Sequence, residues 1–215
     1  MHRVERLGPG ETHSREEGFP NVPDTPRFIY SISGFEYMET WESALSLKQF
    51  EDYYVKKCPV PVHNPEDQIK CLNYCRENVC GQYDTNWGCP PGFSAHVEEF
   101  YSECDYVLLV RRTFCLDVKD EEVVKATTAE MQRITRMMML ELRDNGIRCK
   151  AFADGGCRYC GVCSYPEPCK FPEMFMPSVS SLGLNIGNYL ESLGEPFAFS
   201  DDCVTLYGMI FVAKE

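Results

Sequence analysis

The chain has 215 residues, 44% of them hydrophobic and 25% charged, and its 33 acidic against 21 basic side chains give a formal net charge of −12. Those proportions exclude global disorder, and the acidic balance lacks the basic footprint of a nucleic-acid binder. The outlier is 13 cysteines against 4 histidines, an odd count that forbids complete internal pairing.

Residues 1–25 are polar, rich in Gly, Pro and Glu, and without periodicity, so they read as a mobile tail ahead of a single domain over 26–215. They contain no apolar run of the secretory type, and Val107 to Val110 and Met209 to Ala213 are too short to span a bilayer. The expectation is a cytoplasmic protein with neither a nucleic-acid nor a membrane partner. In that reducing setting, clustered cysteines point to metal ligation or redox work rather than disulfides.

Residues 27–33 (RFIYSIS) and 35–38 are β-branched and aromatic around a Ser33-Gly34 turn, which predicts a hairpin. Helical spacing follows over 45–55. Residues 58–94 read as irregular. Residues 105–112 (DYVLLVRR) read as a buried strand. A long helix is predicted over 120–145, where Val124, Thr127, Met131, Ile134, Met138 and Leu142 recur at three- and four-residue steps before Asn145-Gly146. Its methionines are expected to fill core.

Alternation at Ile147, Cys149 and Ala151 predicts a strand over 147–153, turned by Asp154-Gly155-Gly156. Pro177-Ser178 leads toward a short helix near 187–193, closed by Gly194. Residues 196–200 and 204–213 read as a terminal hairpin. The predicted class is α+β (or α/β): one mixed sheet packed on the long helix, with two cysteine-rich loops in segments 58–94 and 154–172.

The second loop reads Cys157-x2-Cys160-x2-Cys163, with Cys169 after five more residues. Consecutive x2 steps let thiolates curl around one compact cluster, and Gly161 permits the tight turn. The bacterial ferredoxin run is C-x2-C-x2-C-x3-C-P. Here the last gap is longer and Pro172 is delayed, so Cys169 serves either this cluster or a neighbouring one. Two consecutive x2 steps suit a tetrahedral zinc poorly and favour iron–sulfur.

The first loop places Cys71, Cys75, Cys80 and Cys89 close in sequence, with Gly81 and Gly88 to turn the chain and Pro90-Pro91 to stiffen it. Its spacing accommodates zinc or a second cubane alike.

The strings Cys75-Arg-Glu-Asn-Val-Cys80-Gly81 and Trp87-Gly88-Cys89-Pro90-Pro91 resemble a family of uncharacterised proteins described as predicted metal-binding proteins. Its members carry a similar C-x4-C-G segment, then W-x-C-P-P, then C-x2-C-x2-C ending in C-x-x-P, matched here by Cys169-Lys-Phe-Pro172. The likeness runs over roughly 58–213, with Pro177-Ser178 and Gly183-Leu-Asn-Ile186 similar to a further family element. The resemblance implies that Cys75, Cys80, Cys89, Cys157, Cys160, Cys163 and Cys169 are ligands. It implies no particular reaction.

Two [4Fe–4S] clusters need eight thiolates. Cys71 is kept as the eighth on spacing, with Cys58 and Cys104 as substitutes. The loops either ligate sequentially or exchange Cys169, and an open iron is the third arrangement. Cys104, Cys115 and Cys149 are expected to be buried as small hydrophobes, and Cys203 to sit exposed at a turn. His63 and His96 are expected at the surface, and Tyr83 and Trp87 as shields of a cluster.

The function expected is single-electron transfer to or from a redox partner protein through two [4Fe–4S] clusters. The alternatives are a redox enzyme or enzyme activator with an open-iron cluster or a further cofactor such as a corrinoid, and a zinc-stabilised interaction module.

Overall fold

In the computed structural model, which describes residues 40–93, 95–197, 200 and 202–214, the apolar run at 105–112 is the centre of a longer strand. The tail and hairpin expected over 1–38 lie outside the described residues. In chain order the elements are α1 (Trp41–Ala44), β1 (Tyr54–Cys58), α2 (Pro65–Glu77), α3 (Val97–Ser102), β2 (Cys104–Cys115), α4 (Glu121–Asp144), β3 (Cys149–Ala153), α5 (Ile186–Ser192) and β4 (Cys203–Ala213).

The sheet order is β1-β2-β4-β3 and every strand pair is antiparallel. The parallel element expected of a mixed sheet is reduced to one isolated bridge, Ala153 with Ser178. The class is α+β.

α4 covers one face of the sheet. Asp120 caps it by accepting the Glu122 and Val123 N–H groups, Glu121 and Glu122 complement the positive end of its dipole, and Arg143 sits in its last turn. Met131, Ile134, Met138, Met139 and Leu142 are buried against Leu108, Val110, Ala151, Ile210 and Val212. Each such side chain contributes about 1.5–3 kcal/mol on leaving water. Thr135 presses on Gly208, where a Cβ would lie 2.1 Å from the Thr135 hydroxyl, so the missing side chain lets helix and sheet approach.

The other face is covered by α3, the turn Val179–Leu182 and α5. There Val97, Phe100, Leu182 and Leu190 bury Val107, Leu109, Phe152, Met209 and Phe211. Near-continuous burial of β4 follows from having cover on both sides. Among the described residues, no helix is long and apolar enough to cross a membrane.

Three expectations are corrected. The helix expected over 45–55 is one tight turn, Leu47–Phe50, followed by β1. Tyr53 and Val55 pack toward α4 while Tyr54 points away under Arg111, an alternation that a short helical window concealed. The irregular reading of 58–94 misses α2. The terminal hairpin is absent as well: no described residue of 196–200 is in a strand, and β4 pairs with β2 and β3.

Candidate metal centre

α2 carries the first two cysteines. Asn64 caps it by accepting the Glu66 and Asp67 N–H groups, Pro65 opens its first turn, and Asn78 ends it in a left-handed conformation at φ 54°. Cys71 and Cys75 are one turn apart and share a helix face. The chain then turns through exposed Cys80 and Gly81, and Asn78 accepts the Tyr83 N–H at 2.9 Å. α2 is held against the fold where Gln68 packs on Gly183.

Cys89 is buried beside Asn86. Burial pushes its thiol up to about 11, with the Asn86 side chain opposing and the Cys80, Cys75 and Cys157 sulfurs adding to the rise. Burial and then Asp67 and Cys75 raise the Cys71 thiol, and burial and then Cys80 raise Cys75. Cys71 thus lies within electrostatic reach of Cys75, and Cys75 and Cys89 each within reach of Cys80, and a metal held by these sulfurs would bind them as thiolates.

The second loop leaves β3 through Asp154-Gly155-Gly156 and is gripped by α4. Gln132, buried on the helix, donates to the Asp154 and Gly156 carbonyls at 2.8 and 3.0 Å and accepts the Arg158 N–H at 3.0 Å. Burial, then Cys157 and Cys163, raise the Cys160 thiol, while Lys170 and Arg136 oppose the rise. Burial raises Cys169, the Phe171 backbone opposes, and Cys157, Cys160 and Cys163 add. Cys169 thus lies within electrostatic reach of the other cysteines of its own loop.

The two loops touch. An added Cβ at Gly88 would meet the Cys157 backbone nitrogen at 2.5 Å, and one at Gly156 would meet the Asn86 amide at 2.5 Å. Asn86 accepts the Gly88 N–H at 2.9 Å, and the Gly88 carbonyl accepts the Ser178 N–H at 2.8 Å beside the Ala153–Ser178 bridge. Trp87 donates to the Glu167 carbonyl at 2.8 Å and meets the Tyr165 ring edge-on, and Tyr165 donates to Asp84 at 2.7 Å. Trp87 is thus a clasp between the loops.

Arg136 lies one helical turn beyond Gln132 on α4. Its Nε donates to the Met174 carbonyl at 2.8 Å, and its charge lies 5.1 Å from the centre of the Tyr159 ring. Nη2 is buried without a hydrogen-bond partner of ordinary geometry. Burial lowers the guanidinium's proton affinity and the Cys157 sulfur opposes that, so the group faces Cys157. A buried cation needs a nearby acceptor or negative charge, and the Cys157 sulfur is the group that Arg136 faces.

Asp154 accepts from the Tyr207 N–H just past the last β3–β4 pair, Ala153–Gly208. The residue keeps some accessible surface, but its carboxyl is the buried part, and lost solvation pushes it up to about 6 against the Tyr207 bond. In the unfolded chain it titrates near 3.9. A raised carboxyl contributes stability below the unfolded value and loses it as pH rises through the folded one. Asp154→Asn is therefore expected to raise unfolding stability at pH 7.5, on the order of 2 kcal/mol, with the gain vanishing near pH 4. Urea unfolding at both pH values checks this.

The family model described as "Predicted metal-binding protein (DUF2284)" matches residues 64–212, a span that begins at the cap of α2 and ends in β4. The chain belongs to that family. Comparison with the curated proteins and with solved structures gives no match. The span holds both cysteine loops and the contact between them. Among the described residues, no group of three His, Cys, Asp or Glu converges closely enough to hold a single metal ion in this conformation.

The other sequence-picked residues fall outside the two loops. Cys58 is buried in the core at the end of β1, and Cys104 is buried with its thiol donating to the Phe100 carbonyl at 3.1 Å. Burial pushes Cys104 and Cys149 each up to about 12, as befits inert core thiols. Cys115 corrects its expectation, since it is exposed at the end of β2. His63 pairs with Gln68 at 2.8 Å and His96 precedes α3. The sequence reading missed Asn86, Gln132, Arg136 and Asp154. Gln132 and Arg136 break the apolar face of α4 at i, i+4, a signal that was available.

Proposed function

We propose that this chain binds two [4Fe–4S] clusters and passes single electrons to or from a protein partner. The observation that carries the reading is the second loop, where Cys157, Cys160 and Cys163 follow one another at two x2 steps and Cys169 comes after a longer x5 gap. That set suits an iron–sulfur group, and Cys71, Cys75, Cys80 and Cys89 offer a second four-thiol set. Where bound, the clusters supply the one-electron redox change, and the protein supplies ligands, dielectric and distance.

The close approach of Gly88 to Cys157 supports two neighbouring sites, between which an electron need not cross the fold. Exposed apolar residues flank both: Val79, 90% accessible, beside Cys80, and Val162, 85% accessible, beside Cys160. Those residues suit a partner's docking surface.

The charges are asymmetric. Asp67 bears on Cys71, whereas Arg136 and Lys170 bear on Cys160. A buried cation favours the more negative, reduced state, so Arg136 raises the potential at the second loop. An EPR-monitored redox titration is expected to resolve two one-electron components. Arg136→Met is expected to lower only the higher one, shifting its reduced-to-oxidised ratio at fixed poise about tenfold, or about 59 mV. Absence of any reducible species overturns the reading, and an equal shift in both components overturns the role of Arg136.

A further inference from the structure

The sheet narrows at one end. β1 pairs with β2 only as far as Arg111, and β3 with β4 only as far as Gly208. Past those points residues 112–115 and 203–206 continue as a two-stranded ribbon. Phe114, Val204 and Leu206 pack into the α4 core, while the opposite face pairs Thr113 with Thr205, hydroxyls 3.0 Å apart, and then Cys115 with Cys203.

The Leu116 N–H donates to the Asp202 carbonyl at 2.9 Å, which makes Cys115–Cys203 a non-hydrogen-bonded pair. In such pairs the Cα atoms stand about 4.5 Å apart, within the range that a disulfide spans. The two sulfurs are 3.2 Å apart, with Cys115 exposed and Cys203 half-buried. Both positions are fixed by strand pairing rather than by a loop. Neither cysteine belongs to the two loops of the metal centre.

We infer that Cys115 and Cys203 form a dithiol site which a disulfide oxidant of the glutathione class converts to a cross-strand disulfide. Cys115 is the exposed sulfur of the pair and accepts the contact from the half-buried Cys203 thiol, so Cys115 is the attacking sulfur. Its thiolate attacks one sulfur of the oxidant, breaks the oxidant's S–S bond and releases one thiol. Cys203, losing its proton to solvent, attacks the mixed disulfide, forms the Cys115–Cys203 bond and releases the second thiol. The pair loses two electrons and two protons, and the oxidant's two sulfurs gain them. The product staples the sheet where it is only two strands wide.

The test equilibrates the full chain anaerobically in glutathione buffers of graded poise, traps free thiols with N-ethylmaleimide and maps peptides by mass spectrometry. The expected result is a 115–203 linked peptide, about 2 mass units below the sum of its parts. Slower amide exchange over 112–116 and 202–206 and a Tm rise on the order of 5 °C should accompany it. Cys115→Ser and Cys203→Ser should each abolish the link, leave the remaining thiol alkylated and keep the metal content of the parent. Alkylation of both cysteines at every poise, or linkage of either to a cysteine at 71–89 or 157–169, would overturn the site. Because the readout is the linkage itself, it stands or falls apart from the identity of the metal.

Discussion

Replacing Cys160 by serine should remove about half of the bound iron and leave the rest in place. The two proposed ligand sets are positioned by different parts of the fold. Cys71 and Cys75 ride on α2, which is capped by Asn64 and braced by Gly183. Cys157 to Cys169 hang from β3 and are held by Gln132 of α4. Cys160 is exposed, so the change to serine costs little packing and removes one thiolate from one site. A serine hydroxyl is a harder and far less acidic ligand than a thiol, so that site is the one to lose its metal. Iron per chain after anaerobic purification checks this. Unchanged iron would remove Cys160 from the ligand set. Cys149→Ala, at a buried core thiol beyond both loops, should keep the full iron content while lowering stability.

Gly88→Ala should lower metal retention at both sites. The new methyl would lie 2.5 Å from the Cys157 backbone nitrogen and 3.0 Å from its Cβ. A backbone atom cannot rotate aside, so the loops must part. Parting them strains the Gly88–Ser178 and Asn86–Gly88 hydrogen bonds together, because both run through Gly88. Overpacking of this kind costs about 1–3 kcal/mol. Iron content below that of Cys160→Ser, with a reduced urea midpoint, is the expected result. Gly194→Ala is the control. Its φ of +68° strains any side chain, by roughly 1–2 kcal/mol, but nothing lies within 4 Å, so iron should be retained. Full iron in Gly88→Ala would mean that the two loops do not depend on their contact.

What was legible in the sequence was whatever carried strong local periodicity. The helix expected over 120–145 is α4, because its apolar residues recur on one face and Asp120 and Asn145 bound it. β2 and β4 were visible as apolar runs, but their pairing was not. The Val204–Ala213 run pairs with segments far away in sequence, which a search for a neighbouring strand cannot see. α2 was hidden because it has no buried residue and hence no apolar stripe. Its start was nevertheless spelled out by Asn64-Pro65-Glu66-Asp67, a cap, a first-turn proline and two acids.

The candidate site divides in the same way. Cysteine spacing exposes both loops, because a metal-binding loop is a local motif. The groups that join the loops and charge their surroundings are not local. Arg136 and Gln132 read as ordinary polar helix residues until the fold brings residues 154–158 against them. Asn86 reads as a turn residue until Gly156 packs on its amide. Gly88 and Cys157 are far apart in the chain, and contacts such as the Ala153–Ser178 bridge, the Gly88–Ser178 hydrogen bond and the Trp87–Tyr165 clasp make them neighbours.

The most direct measurement of the central claim is metal and acid-labile sulfide analysis of the chain purified without oxygen. A brown protein with about eight iron and about eight sulfide per chain is the expected result. A colourless protein with stoichiometric zinc and no sulfide would contradict it.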